Sequence, residues 1–169
     1  MKKSTIDSLS LRKIKESDSG FLFRLMNSPG WLEFIGDRSI HSKDDALNYI
    51  KQSDLFNYSQ SGLGYYVIIN GECADQNIGI CGILHREDMD APDLGFAILP
   101  EYQGRGIAFR SVQKLVSQNQ KELHNWSRIL AITRPANIRS IALLKRIGFV
   151  FVETMIWQDK EVDLYQLNL

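Results

Sequence analysis

The sequence predicts a mixed α+β fold built on one sheet that is partly antiparallel and partly parallel. Helical patterns occupy the first third of the chain, and three apolar, β-rich runs with short links follow between residues 64 and 99. Neighbouring strands with short links form an antiparallel meander. A strand, a long helix and a further strand come next, and such a crossover unit joins parallel strands.

The first third of the chain predicts one strand and two helices. Residues Leu9–Arg12 alternate in polarity, as a half-buried strand does. Ser17 and Asp18 are typical helix-capping residues ahead of an apolar stripe, and the Pro-Gly pair at 29–30 is expected to close that helix. A second helix is predicted over Lys43–Gln52, because its apolar residues share one face.

The middle of the chain predicts the antiparallel meander. Its strands are expected at Gly64–Ile69, Ile78–Leu84 and Leu94–Leu99. Asn70-Gly71 is a typical hairpin turn after the first of them. A polar, acidic stretch from residue 85 to residue 93 links the second strand to the third.

The second half of the chain predicts the crossover unit and a terminal hairpin. The expected elements are a helix from about Ile107 to Leu123, a strand Ile129–Thr133, a helix Ile138–Arg146 and a hairpin of Phe149–Trp157 and Val162–Leu167. Gly148 is a usual residue just after a helix, and Asp159-Lys160 is expected to form the hairpin turn. The terminal strand could pair across a homodimer.

Composition narrows the class of protein. A chain of 169 residues predicts a single domain, residues 1–169. Its 20 basic and 20 acidic residues balance, which disfavours general nucleic-acid binding. With no apolar run of membrane-spanning length and no signal-peptide pattern, a cytoplasmic protein without a membrane partner is expected. Cys73 and Cys81 fit no metal spacing, and His41, His85 and His124 are scattered, so no metal site is predicted.

The stretch Gln103–Ala108, Gln-Gly-Arg-Gly-Ile-Ala, is the most informative motif. It lies between a predicted strand and the start of a helix, where glycines and unpaired N–H groups favour a phosphate or pyrophosphate. A plain turn is the alternative interpretation. The chain has no Walker A loop, and Phe109 stands where a dinucleotide-binding fingerprint needs a small residue.

A second motif, Asn137–Phe149, opens and closes the following helix. Asn137 is suited to cap that helix, and its amide could instead face a ligand. Ser140 lies one turn further on, near the same helix end. Both interpretations of Asn137 remain open from the residues alone.

The two motifs together resemble the GNAT acetyltransferases, and within them the branch that includes the ribosomal-protein N-terminal acetyltransferases RimJ and RimL. The matching pieces are residues 100–108 and Asn137–Phe149, and the likeness extends over essentially the whole chain. The resemblance implies a three-layer fold with helices on both faces of a mostly antiparallel sheet. It also implies a central parallel pair of strands that splays at the cofactor site.

The resemblance further implies acetyl-CoA as donor and an amine as acceptor, either a small molecule or a protein N-terminus. The implied cofactor-binding residues are Ile98, Leu99, Gln103, Gly104, Arg105, Gly106, Ile107, Ala108, Asn137 and Ser140. Backbone N–H groups of residues 103–108 would hold the pyrophosphate, and the backbone at 98–99 would run beside the pantetheine arm. Ser140 would lie near the thiol.

The implied reaction is direct acetyl transfer without a covalent acyl-enzyme. A base takes the amine proton, and a backbone N–H stabilises the oxyanion. The candidate bases are the acidic residues before the third meander strand, Glu87, Asp88, Asp90 and Asp93. Asp93 is preferred because it immediately precedes that strand, although loop carboxylates are commonly only solvated. Leu144 occupies the position of a tyrosine that donates a proton in several GNAT members. Ser140 as a catalytic residue, a bound water or direct release of the thiolate could replace that donor.

The acceptor is expected between the N-terminal helices and the meander. Candidate acceptor-binding residues are Trp31, Glu33, Phe34 and Asp37, with Tyr65 and Tyr66 nearby. The two carboxylates could receive a cationic amine and the aromatics could cover its stem, although such aromatics are more often core residues. Two other hypotheses stay open: an acyl-CoA-binding sensor without turnover, and an interaction domain with an empty cleft.

Overall fold

The computed structural model describes residues 8–53, 56, 58, 62–71 and 76–169. The N-terminal residues 1–7 and Cys73, on which the signal-peptide and cysteine expectations partly rest, lie outside these ranges. The strands are β1 Leu9–Lys13, β2 Gly64–Asn70, β3 Gln76–Leu84, β4 Asp93–Ile98, β5 Arg128–Thr133, β6 Val150–Trp157 and β7 Lys160–Asn168. The helices are α1 Ser19–Met26, α2 Pro29–Phe34, α3 Lys43–Gln52, α4 Ile107–Gln118, α5 Gln120–Leu123 and α6 Ile138–Ile147.

The described strands form one seven-stranded sheet in the order β1-β2-β3-β4-β5-β7-β6. The strands β2, β3 and β4 form the expected antiparallel meander, and β1 adds to it antiparallel to β2. The strands β5, β7 and β6 are also antiparallel to one another. The pair β4 and β5 is parallel because α4 and α5 form the crossover between them. The predicted fold class, a mixed and mostly antiparallel sheet with one parallel pair, is therefore confirmed.

The parallel pair meets at one end and separates toward the other. Within the described chain, its register contains the single pair Asp93 and Leu130, and the Leu130 N–H donates to the Pro92 carbonyl at 2.8 Å. Beyond this point no further pairing joins the described residues of β4 to those of β5. The carboxyl ends of the two strands, at Ile98 and Thr133, therefore form the sides of a gap in the middle of the sheet.

Helices cover both faces of the sheet, and each face has its own apolar core. Residues of β3 show the division, since the neighbours Ile80 and Cys81 belong to different cores. The α4-side core, defined by Ile68, Cys81, Ile83, Val112, Leu115 and Leu144, packs under α4 and α6. The α1-side core, defined by Leu22, Leu25, Met26, Ala46, Ile80 and Leu99, packs under α1, α2 and α3.

Four local expectations differ from the structure. The Pro-Gly pair at 29–30 opens the short helix α2, because proline suits the first helical position. The long helix breaks at Asn119, whose side chain donates to the Leu115 carbonyl at 2.8 Å. The terminal hairpin turns at Gln158 and Asp159, which have φ angles of 47° and 60°. The terminal strand β7 lies between β5 and β6, so β6 is the edge strand.

Asp18 fastens the first strand to the start of α1 instead of capping the helix with its side chain. Its carboxylate accepts from Arg12 Nη1 at 2.7 Å and Nη2 at 2.8 Å, from the Lys15 N–H at 2.8 Å and from Asn77 Nδ2 at 2.9 Å. Burial alone would raise the pKa of Asp18, but these hydrogen bonds and the Arg12 charge outweigh it and hold the pKa below its usual value. The folded protein therefore favours the charged carboxylate.

We predict that Asp18→Asn lowers the free energy of unfolding by about 3 kcal/mol at pH 7, because it removes the buried carboxylate charge that faces Arg12. Urea unfolding of the variant and the native protein measures this loss. Since the folded pKa of Asp18 is lowered, its stabilisation is present above the ordinary value of 3.8 and is lost as the pH falls through the folded pKa. The difference between the two proteins should shrink in acid.

Asp88→Asn is the matched control, because Asp88 is an exposed loop residue. Equal stability of Asp18→Asn and Asp88→Asn at pH 7 would show that the Asp18 network contributes nothing.

Candidate active site

A cavity of about 1570 Å³ occupies the gap between the diverging ends of β4 and β5. The two strands line it with Phe96, Ala97 and Ile98 on one side and residues 131–133 on the other. The first turns of α4 and α6 border it, as do α2 and the β6–β7 turn. The result is a cleft that is bordered by elements from both faces of the sheet.

The glycine turn lies at one end of the cleft. Gly104 and Gly106 have φ angles of 74° and 70°, a conformation that residues with a Cβ rarely adopt. Gly106 is the N-cap of α4. The first N–H groups of a helix have no intrahelical partners, and Gly106 has no side chain that could accept from them. Gly104, Gly106, Ile107 and Ala108 all line the cavity. This arrangement suits an anion at the positive end of the helix dipole.

Gln103 connects this turn to its neighbours. Its Nε2 donates to the Ile98 carbonyl at 2.9 Å, and its Oε1 accepts from Arg139 Nη1 at 3.1 Å. The side chain thus ties the end of β4 to the start of α6 across the cleft. Gln103 and Ile98, both expected at the cofactor, line the cavity.

Two other residues expected at the cofactor, Leu99 and Arg105, are not among the described residues that line the cavity. Leu99 is 1% exposed because its side chain belongs to the α1-side core. The Arg105 guanidinium turns away to donate to the Glu101 carbonyl at 2.9 Å, and it lies 5.5 Å from the centre of the Tyr102 ring.

Asn137 caps α6, since its side chain accepts from the Ser140 N–H at 3.2 Å. Asn137 and Ser140 both line the cavity opposite the glycine turn. One helical turn further on, Leu144 is 1% exposed and packs in the α4-side core while one part of it borders the cleft. An apolar side chain therefore stands where a proton donor on α6 would face the cleft.

Asp93 lies at the other end of the cleft, beside the single pairing of β4 with β5. It is 2% exposed, and its carboxylate accepts from Arg86 Nε at 2.8 Å and Nη2 at 3.1 Å. Burial raises the pKa of Asp93, and the Arg86 charge offsets only part of that rise. Of the four acidic residues considered as a base, Asp93 is the one in the described lining, and Asp90 pairs instead with Arg128 at 2.5 Å.

The wall expected to bind the acceptor is formed mainly by α2. Trp31, Glu33 and Phe34 line the cavity, and the Trp31 indole Nε1 is buried without a hydrogen-bond partner among the described residues. Asp37 is not among the described residues that line the cavity. Its carboxylate accepts from the Ser39 N–H at 2.7 Å. Tyr65 faces the cleft, whereas the next residue, Tyr66, packs against the α4-side core.

Several lining residues were not expected from the sequence, and Arg86, Trp157 and Lys160 are among them. Arg86 offers a weak signal, as the basic residue of an acidic link. Trp157 and Lys160 flank the β6–β7 turn, and the Lys160 ammonium comes within 3.0 Å of where a Cβ on Gly36 would lie. Only the folded sheet brings this turn against the loop after α2.

A family model described as the acetyltransferase (GNAT) domain matches residues 8–150, which include both the glycine turn and the start of α6. The chain belongs to the GNAT acetyltransferases. Within the described ranges of this GNAT domain, no helix has the length and apolar character that a membrane span needs.

Individual relatives agree with this assignment. The GNAT domain is 31% identical over 127 residues to the spore coat polysaccharide biosynthesis protein SpsD of Bacillus subtilis (strain 168), covering 72% of this chain and 42% of that protein. The chain thus spans less than half the length of that curated relative. An acetyltransferase structure from Agrobacterium tumefaciens str. C58 is 25% identical with a TM-score of 0.78, covering 95% of this chain and 91% of that one.

A third relative shares the fold. The structure of a ribosomal-protein-S5-alanine acetyltransferase from Vibrio fischeri superposes with a TM-score of 0.76 at 22% identity, covering 95% of this chain and 92% of that one. At this identity the likeness concerns the fold alone. GNAT domains use acetyl-CoA, and the uncapped start of α4 beside an elongated cleft fits a ligand with a pyrophosphate and a long arm.

We predict that Gly106→Asp weakens acetyl-CoA binding about tenfold relative to Gly106→Asn, because a carboxylate at the N-cap opposes an anion there. Both side chains tolerate the left-handed backbone, and a Cβ at Gly106 meets nothing within 4 Å. The pair therefore differs in charge and not in fit. Calorimetric titration with acetyl-CoA measures the effect, and equal dissociation constants for the two variants would contradict an anion site at α4.

Proposed function

We propose that this GNAT domain transfers the acetyl group of acetyl-CoA directly to a primary amine within a ternary complex. One observation carries the proposal: a single cleft has an uncapped helix start at one end and a buried carboxylate, Asp93, at the other. The facing edges of β4 and β5 run between these two ends, and beyond Asp93 and Leu130 their described residues do not pair with each other. A donor bound along the cleft would present its thioester near Asp93.

The donor would lie along β4. The N–H groups of Gly104, Gly106, Ile107 and Ala108 would receive the pyrophosphate, in keeping with the anion preference of a helix start. The pantetheine amides would pair with backbone groups of β4 near Ile98, since the carboxyl-terminal part of that strand lacks a described partner on the β5 side. Asn137 and Ser140 would border the arm from α6.

The reaction would proceed by attack of the neutral amine on the thioester carbonyl. The C–N bond forms, the C–S bond breaks, and CoA leaves as a thiolate that solvent protonates. Asp93 would accept the amine proton through water, because Arg86 occupies both carboxylate oxygens directly. Its raised pKa makes the carboxylate a stronger base than an ordinary aspartate. A backbone N–H of β4 would stabilise the oxyanion.

The acceptor would enter from the α2 side, between Trp31, Glu33 and Phe34. We place the domain in the RimJ/RimL-like branch as a proposal supported by the motifs at residues 100–108 and 137–149. The acceptor is then a protein N-terminus or a small-molecule amine, and Glu33 is a carboxylate of α2 in the cavity lining that could attract its positive charge.

Leu144 favours one competing function, a module that binds acyl-CoA without turnover. One assay distinguishes the transferase from the binding module. Acetyl-CoA is incubated with the protein and a panel of peptides, amino acids, amino sugars and polyamines, and released CoA thiol is measured. Turnover with any amine supports the transferase, whereas acetyl-CoA binding by calorimetry without release from any amine supports the binding module.

We predict that Asp93→Asn lowers kcat about a hundredfold while acetyl-CoA still binds, because an amide cannot accept the amine proton. The native rate should fall as the pH drops through the raised pKa of Asp93, since protonation removes the base. Rates of CoA release between pH 5 and 9 test both statements. Asp90→Asn is the control, because Asp90 is exposed and pairs with Arg128 outside the cleft. Unchanged turnover in Asp93→Asn would exclude this base.

We predict that Glu33→Gln raises KM for a polycationic amine such as spermidine about fivefold, since an exposed ion contact contributes roughly 1 kcal/mol. Asp37→Asn is matched to it, because Asp37 is close in sequence but lies outside the described lining. KM should stay unchanged in that variant. Equal values of KM for the native protein and Glu33→Gln would remove Glu33 from the acceptor site.

A further inference from the structure

Tyr65 lies in a row of three residues that crosses three strands. It pairs in register with Gly82 of β3, which in turn pairs with Gly95 of β4. All three residues stand on the α1-side face of the sheet, where Tyr65 packs against the α1-side core. A tyrosine on β2 is thus followed across the sheet by two positions without side chains.

The two glycines make room for the Tyr65 side chain. A Cβ on Gly82 would lie 2.7 Å from the Tyr65 Cα and 2.8 Å from its Cδ1. A Cβ on Gly95 would overlap the Tyr65 hydroxyl oxygen and lie 2.8 Å from its Cζ. The ring therefore lies across β3 and β4, with its hydroxyl directly over the Gly95 backbone. A side chain at either glycine would displace it.

The surroundings fix this ring in place. The Tyr58 hydroxyl donates to the Tyr65 carbonyl, and the Phe56 ring meets the Tyr65 ring edge-on with 6.5 Å between centres. Strand pairing on both sides of β2 holds the backbone. The hydroxyl is thus carried to a defined point of β4 by a side chain with little freedom to move.

That point lies beside the proposed reacting centre. Tyr65, Gly95, Asp93 and Arg86 line the same cavity, and Asp93 is two residues from Gly95 on the same face of β4. Among the described residues, the structure gives the Tyr65 hydroxyl no hydrogen-bond partner. Burial raises the pKa of Tyr65, and the negative charge of Asp93 raises it further. The phenol therefore keeps its proton, and can donate a hydrogen bond, over the pH range of the assays.

We propose that Tyr65 is a catalytic residue whose hydroxyl donates a hydrogen bond to the acetyl oxygen as the amine attacks the thioester. The proposal rests on the proposed transferase function. As the C–N bond forms, the carbonyl electron pair moves onto the acetyl oxygen. The Tyr65 O–H and a β4 backbone N–H donate hydrogen bonds to that oxygen and stabilise its negative charge. The pair then returns, the C–S bond breaks and the thiolate leaves. Tyr65 keeps its proton throughout.

The Tyr65 hydroxyl matters for the proposed reaction because Leu144 offers no proton or hydrogen bond from α6. The α6 side of the cleft offers an apolar group at the position one turn beyond Ser140. Tyr65 supplies a phenol from the opposite face of the sheet, along a path that Gly82 and Gly95 leave open. A purely structural tyrosine packed over glycines would need the ring and not the hydroxyl, so the two roles can be separated by removing one oxygen atom.

The test compares Tyr65→Phe with the native protein, using acetyl-CoA and an amine found in the turnover panel. We expect kcat to fall about a hundredfold, as for loss of one oxyanion donor. Acetyl-CoA affinity and melting temperature should stay unchanged, because the ring remains. The ratio of the native kcat to the Tyr65→Phe kcat should be the same from pH 6 to pH 9, since the phenol stays protonated. Tyr165→Phe, which removes the hydroxyl of a buried tyrosine on β7, controls for general effects.

A second variant tests the placement of the hydroxyl. Gly95→Ala should lower kcat by displacing the hydroxyl, and in the Tyr65→Phe background it should cause little further loss because no hydroxyl remains to displace. A structural role predicts independent, additive losses instead. Native turnover with equal turnover in Tyr65→Phe would overturn the role of Tyr65 alone. Acetyl-CoA binding without native turnover on any amine would overturn the transferase and the role of Tyr65 together.

Discussion

The single backbone pairing between β4 and β5 is the constraint on which the rest of the structure depends. Because the strands meet at Asp93 and Leu130 and then separate, the sheet stays continuous while its centre opens. The crossover through α4 makes the strands parallel, so both carboxyl ends face the gap. The glycine turn, the α6 cap and the buried ion pair all border that gap. Fully paired strands would leave no cleft for these groups to share.

Local chemistry made the fold class and the glycine turn predictable from the sequence. Helix α3 has its predicted bounds because a serine cap and a one-sided apolar face fix them, and residues 103–108 form the turn that their glycines require. The ion pair of the partly exposed Arg86 with the buried Asp93 was not predictable, because its partners meet only through the fold of the link between β3 and β4. The interior place of β7 likewise depends on long-range pairing, which no local pattern specifies.

The two ends of the cleft differ in how they are built. The proposed donor end would use backbone groups of a turn and a helix start, so it would depend on conformation more than on side-chain identity. The proposed acceptor end would use side chains from α2, the β6–β7 turn and the sheet face, which carry both charges and aromatic rings. Backbone recognition would suit one constant donor, whereas side-chain recognition would set which amine fits.

The division of the interior into two cores has a consequence for how such a domain can change. The helices α1, α2 and α3 pack on the α1-side core and α4 and α6 on the opposite one, with the sheet as a partition. Substitutions that reshape one compartment leave the packing of the other largely intact. If α2 forms the acceptor wall as proposed, selection can remodel it while the proposed donor site beside α4 and α6 is inherited unchanged. A laboratory graft of helices from one domain to another can exploit the same separation.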